Sequence, residues 1–338
     1  MDTYITNSAL ALSHQRRLRL LGLVMAATAV MSMWMSNIAA AAMMLAALRP
    51  HLHRGERSDP FRRALLLGVA MAANLGGIAT PIGAGPNGIA IASLEPWMQI
   101  TFLQWMSFAV PLTLTLLAFV FLLIAWLHRV HGSFRPVEVH RPALKGRALG
   151  LVIVFALAVG AWLTEPLHGV SAPIVALLTA AVLFGGGWLE REDLGRIDWA
   201  TLLLIAGGLI LGRLAEQSGL LHALAGRANF GHLPMPVRMT GLVLVCAILG
   251  TVVSNTATAA MLIPLALGVD LPKEVAILIA IGTSFGVLFS FSSPANAMAY
   301  GEGGVTTGDL LRVGLPILLI GSLLAGLTGP WLLEVVLK

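Results

Sequence analysis

The sequence predicts an all-α polytopic membrane protein built from inverted repeats, with two re-entrant helical hairpins and discontinuous helices. Three observations predict it. The 338 residues are 57% hydrophobic and 11% charged, against about 25% charged in a soluble domain, and the mean hydropathy is +0.87. Apolar runs such as 149–162, 170–189, 239–253 and 310–337 are continuous, which fits helices rather than the period-two pattern of a barrel. A polar motif also occurs twice, as SNIAAAAMMLAAL from Ser36 and SNTATAAMLIPLA from Ser254, with six of thirteen positions identical.

A helix needs roughly 20 residues to cross the hydrocarbon. Residues 1–147 read as an incomplete first repeat: a span near 17–34, a hairpin at 35–48, a charged loop 49–63, a broken helix 64–94, a span 105–127 and a loop 128–147. Residues 148–338 read as the second repeat: spans within 148–189, segments over 200–228, a span 236–252, a hairpin 253–268, a broken helix 274–300 and a span 310–336. Loop 49–63 holds five arginines and loop 128–147 four arginines and a lysine; 95–104 and 166–170 hold none, and 268–274 only Lys273. Positive loops stay in the cytoplasm, so the loops following the two motifs fall on opposite sides and the repeats are inverted.

Each motif is followed by a second break, GGIATPIGAGPN ending at Asn87 and GVLFSFSSPAN ending at Asn296. These asparagines lie 50 residues after Asn37 and 41 after Asn255, the longer basic loop of the first copy accounting for the difference. Small and hydroxyl residues also serve to pack helices, but two matched copies, each with its own break, favour a site. Inverted repeats with discontinuous helices are the build of secondary transporters. Non-helical backbone at membrane depth survives only when buried in protein or lining a cavity. There, freed carbonyls and Ser, Thr and Asn oxygens suit a hard cation such as sodium. Freed N–H groups at half-helix N-termini suit an anion. No lysine or arginine lies in 32–45, 76–91, 250–264 or 282–300, so a bound anion would be neutralised by helix ends and co-bound cations.

The net charge of +5 does not point to nucleic acid, because the basic residues sit in short loops between spans. The single cysteine, Cys246, excludes a disulfide framework. No Walker, HExxH or GxSxG motif stands in a plausible context, so the chain is expected not to be an enzyme. Its first residues lack the order of a signal peptide.

At SMWMSN (32–37), ANLGGIATPIGAGPN (73–87), DWATLLLIAGGLILGRLAEQSGL (198–220), SNTATAAMLIP (254–264) and SSPANAMAYGEGG (292–304), the sequence resembles the divalent-anion:sodium symporter family. The resemblance implies transport of a dicarboxylate, citrate or sulfate with sodium as the coupling ion. It also implies an elevator-type fold in the cytoplasmic membrane, a transport domain with the SN motifs at its hairpin tips, and a scaffold that forms a homodimer. Carried over by position, sodium would meet Ser32, Ser36, Asn37 and Gly83 at one site and Gly250, Val253, Asn255 and Ser292 at the other. Substrate would meet Asn37, Ala84, Ser254, Asn255, Thr256, Ser293 and Pro294. The sequence departs from the family pattern in three places: Ile38 stands where the second copy has Thr256, Ala84–Gly85 replace a hydroxyl residue and a proline, and Gly250 replaces a threonine.

Only 35 residues precede Ser36, against roughly 105 from Ala148 to Ser254, so a chain shortened at its N-terminus is expected. The rival expectations are a non-transporting fragment and an export permease for an oxyanion such as arsenite. His51, His53, His128, His131 and His140 read as a solvated interfacial face, and Trp34, Trp97, Trp105, Trp126 and Trp331 as an aromatic belt. Glu216 and Glu302 lie beside glycine-containing breaks; Glu216 reads as a helix-end residue facing the interface, with a proton relay as the alternative.

Overall fold

Helix ends in this chain are set by proline and by short polar caps, since the interiors are too uniformly apolar to mark them. The computed structural model describes residues 16–52, 59–133, 146–197, 233–267 and 271–337, with isolated positions between 199 and 218. Helix α1 (Arg17–Trp34) and helix α2 (Asn37–Leu52) are joined through Met35 and Ser36 alone. Helix α3 (Pro60–Gly76) starts where the Asp59 side chain accepts from Phe61 N and proline occupies the first turn. A non-helical stretch, 77–84, separates it from α4 (Gly85–Leu94). Helix α5 (Phe102–Leu127) opens on a capping box of Thr101 and Gln104.

After α6 (Arg147–Leu163), the single turn α7 (Glu165–His168) and α8 (Ala172–Gly185), the first five helices recur in the same order. They are α9 (Met235–Val252), α10 (Asn255–Leu267), α11 (Val275–Thr283), α12 (Pro294–Gly301) and α13 (Thr307–Leu337). A non-helical stretch, 284–293, separates α11 from α12 as 77–84 separates α3 from α4.

The repeats interlock. Helix α4 packs against α10 and α11, and α12 packs against α2 and α3. Each broken helix therefore rests on the hairpin of the other repeat, and both repeats share one hydrophobic core. The α1–α3 contact is close: a Cβ on Gly76 would lie 2.5 Å from Ala29 O and 2.7 Å from Ala29 Cα. Helices α6 and α8 stand apart in a small cluster where Trp34, Phe102 and Trp162 stack in parallel. Four described helices, Arg17–Trp34, Phe102–Leu127, Met235–Val252 and Thr307–Val336, are long and apolar enough to cross a membrane.

Two expectations change. The segment expected as a hairpin at 35–48 is a single helix from Asn37 onward, α2 (Asn37–Leu52), which packs against α1. A fourteen-residue helix is about 21 Å long, too short to fold back on itself at depth. Likewise the segment expected as a hairpin at 253–268 holds the single helix α10, packed against α9. Trp105 is not a belt residue: it is fully buried, with its indole donating to Ile78 O at 3.0 Å. Most of 200–228, with Glu216, His53 and His140, lies outside the described residues.

Candidate functional site

The first hairpin tip and the first helix break meet in a cage of oxygens. Ser32, in the last turn of α1, donates to Ala73 O at 2.6 Å and lies 2.9 Å from the Asn37 amide. The Asn37 side chain carries an NH2 that can donate to Ala73 O (3.2 Å), Ser32 Oγ (2.9 Å) and Gly83 O (3.3 Å). Three oxygens therefore converge on one amide end. Gly77 lets this happen, for a Cβ there would strike Asn37 Oδ1 and come within 3.0 Å of Gly83 O. The break is held by Asn87, whose amide donates to Gly77 O and Thr80 O, both at 2.8 Å.

The second cage has the same parts and a different filling. Asn255 lies at the start of α10, and its Oδ1 is out of contact with solvent and without a hydrogen-bond partner among the described residues. Gly250 replaces Ser32, and the position its Cβ would take is 2.6 Å from Thr283 O and 3.0 Å from Asn255 Oδ1. Ser292, the counterpart of Gly83, donates to Thr251 O at 3.0 Å and accepts from Phe289 N at 3.0 Å. Asn296 holds the break as Asn87 does, donating to Val287 O (2.9 Å) and Phe289 O (3.0 Å).

Counting back from the two asparagines pairs Asn74 with Thr283, and this difference shapes the seam between repeats. Asn74 reaches across to Asn296 Oδ1 at 3.0 Å. Thr283 is too short to reach Asn87 in return; its hydroxyl bonds Ala280 O of its own helix at 2.9 Å. Asn87 Oδ1 is accordingly left without a partner among the described residues. A buried orphan of this kind costs about 1–3 kcal/mol.

The structure thus brings Ser32, Asn37 and Gly83 together, and Gly250, Asn255 and Ser292 around the other break. Val253 ends α9 beside them, exposed. The two motif serines have other work. Ser36 Oγ accepts from Ala39 N at 3.3 Å and Ser254 Oγ from Ala257 N at 3.1 Å, capping α2 and α10. Ser36 is exposed and capped in this way, so it does not join the first cage through its hydroxyl. Each capping hydroxyl keeps its own proton to donate. Ser293 caps α12 in the same manner, accepting from Asn296 N at 3.2 Å, whereas Ala84 gives α4 no side-chain cap. Pro294 is exposed in the first turn of α12. Thr256 lies over the start of α4: a Cβ on Gly85 would be 2.8 Å from its hydroxyl. Ile38, its counterpart, is 46% exposed and apolar.

Glu302 belongs to a clamp at the arginine-rich end. Arg49 pairs with its carboxylate at 2.9 Å, and buried Arg62 donates to Glu302 O at 2.6 Å and to Gly303 O. Ala73, Asn74, Gly77, Thr283 and the two break asparagines escaped sequence reasoning as site parts. The matched ends of the two breaks at Asn87 and Asn296 were the signal that could have found the asparagines.

Paired helix breaks, oxygen-lined and buried between inverted repeats, define a membrane transport protein. Comparison with known proteins sharpens this. Residues 1–275 match the citrate transporter family (CitMHS), and the chain belongs to it. It is similar to the sodium-dependent dicarboxylate transporter SdcS of Staphylococcus saprophyticus, 26% identical over 335 residues, 86% of this chain and 64% of that protein. It is also similar to the low-affinity phosphate transporter PHO90 of Saccharomyces cerevisiae, 29% identical over 249 residues, 70% of this chain and 27% of that one. Its fold is that of the YdaH transporter of Alcanivorax borkumensis, with a TM-score of 0.55 at 17% identity over 98% of this chain and 82% of that chain. The protein is a multi-pass membrane transporter of the citrate transporter family, and not an enzyme.

Proposed function

We propose that the chain carries a small multivalent anion across the cytoplasmic membrane, coupled to sodium held in the two cages. The observation that carries this reading is the convergence of oxygens on Asn37 and around Gly250, with no cationic side chain in either motif segment. In the first cage, Ser32 Oγ, Ala73 O and Gly83 O face one point, and turning the Asn37 amide presents either its NH2 or its oxygen there. The oxygen orientation requires a cation among the four. In the second cage Asn255 Oδ1 and Thr283 O would take that part, with Ser292 and the Val253 carbonyl as further oxygens carried over from the family resemblance. Hard cations prefer such oxygen sets.

The anion would meet the hairpin tips and break ends: Ser254 and Ser293 hydroxyls, Thr256 over the N-terminus of α4, and the uncapped amides behind Ala84. Helix N-termini supply partial positive charge without a lysine or arginine. Asn37 and Asn255 serve both ligands. The relatives' names support citrate or a dicarboxylate first and phosphate second. The test is uptake of labelled citrate, succinate, phosphate and sulfate into proteoliposomes, with an inward sodium gradient and without one. Sodium-driven uptake of a carboxylate is expected. Uptake of phosphate alone would move the assignment to that anion, and uptake indifferent to sodium would remove the coupling.

A further inference from the structure

At the arginine-rich end, away from both cages, the start of α3, the end of α5 and the start of α13 enclose a cavity of about 270 Å³. Its lining is basic: Arg63, Arg129 and Arg312, with His128, Pro60, Leu127 and a single carboxylate, Asp309. That carboxylate is already engaged, accepting from Thr306 N at 2.9 Å and Thr306 Oγ1 at 2.7 Å. Among the described residues none of the three arginines pairs with an acid, and Arg63 Nε is out of contact with solvent without a partner. Burial lowers the His128 pKa; Asp309 opposes this, and the positive charges of Arg63 and Arg312 reinforce it. Three guanidiniums around one engaged carboxylate leave a positive site open to an anion.

The surroundings indicate its depth. Trp126, the residue before cavity-lining Leu127 on α5, is 75% exposed, as an indole at the headgroup level would be. Beyond Arg312, exposed Leu315, Leu319 and Leu323, spaced four residues apart, form an apolar lane along α13, and Leu122 on α5 is exposed as well. A site with cations at headgroup depth and aliphatic surface beneath fits a phosphate carrying acyl chains. Arg forks match phosphate oxygens two at a time, and basic pockets between helices on the cytoplasmic side bind anionic headgroups. A second cavity, at the other end of α13 and between α9, α11 and α13, is lined instead by apolar residues with Glu274 and Glu334.

We propose that the Arg63–Arg129–Arg312–His128 cavity binds a phosphate group, that of an anionic phospholipid headgroup or of free phosphate, pinning the first repeat to the second. The test uses the full chain, purified and reconstituted, and follows its melting temperature. Phosphatidylglycerol in a phosphatidylcholine bilayer is expected to raise it by about 5 °C, and Arg129→Gln/Arg312→Gln to remove at least half of the rise. Both arginines are exposed, so the variant keeps its fold, and Arg63→Gln is the second variant, read the same way. Inorganic phosphate in detergent is the other arm: a rise that vanishes in the arginine variants but persists in Asn255→Ala assigns free phosphate. An equal rise in wild type and arginine variants, no rise with either probe, or a phosphate effect abolished only by Asn255→Ala would overturn the proposal.

Discussion

The two cages share a plan and differ in where the plan is self-satisfied. In the first, Ser32 and Asn37 close on each other and on Ala73 O, so the tip is braced by its own side chains. In the second, glycine stands in place of Ser32, and Asn255 Oδ1 is buried with no partner among the described residues. The seam is lopsided the other way: Asn74 satisfies Asn296, while Thr283 cannot satisfy Asn87. Duplication sets where the oxygens go, and single substitutions decide which of them are spent on structure and which are open to a ligand. The second cage is the more open, and the first the more rigid.

Six substitutions press on that difference. Asn255→Ala deletes the open oxygen; a hydrogen bond or ligand contact to a charged group is worth about 1.5–3 kcal/mol. Uptake should fall at least about 30-fold, with the melting temperature little changed. If the variant still transports, the second cage is wrongly assigned. Next come the paired positions. Gly250→Ala drives a Cβ to 2.6 Å from Thr283 O; overpacking of this kind costs about 1–3 kcal/mol, and uptake should drop about tenfold. Ser32→Ala removes the donor to Ala73 O, and its cost, about 1 kcal/mol, should appear as a higher sodium requirement at nearly unchanged maximal rate. Equal effects on both variants would erase the distinction between cages.

Asn74→Leu strands Asn296 Oδ1 and should lower stability by about 2 kcal/mol, read as a fall in melting temperature. The reciprocal Thr283→Asn should raise it by giving Asn87 a partner. Ile38→Thr restores to the first tip the hydroxyl that Thr256 brings to the second. Because Ile38 is exposed at the start of α2, the effect should be small, within about threefold in uptake, and not a loss. A marked loss would place Ile38 in packing rather than at the site.

Much of this was legible beforehand. The SN copies, the matched breaks and the charge of the loops located both cages and ordered the helices. What escaped has one physical origin. In a chain whose lipid face and core face are both apolar, hydropathy does not tell one side of a helix from the other. Trp105 thus reads from the sequence as interfacial, whereas it donates inside the core to Ile78 O. The cross-repeat partners, Asn74 with Asn296 and Thr256 with Gly85, are 222 residues apart or come from different repeats. No local pattern encodes which hairpin meets which break.

The most direct test of paired cages is the sodium dependence of the initial rate of anion uptake in proteoliposomes, for wild type, Ser32→Ala and Asn255→Ala. Two coupled sites should give a sigmoidal curve with a Hill coefficient above about 1 in wild type. The Ser32→Ala curve should shift to higher sodium, and Asn255→Ala should lose the response. A hyperbolic curve left in place by both substitutions, or a rate independent of sodium, would contradict the assignment of either cage to the coupling ion.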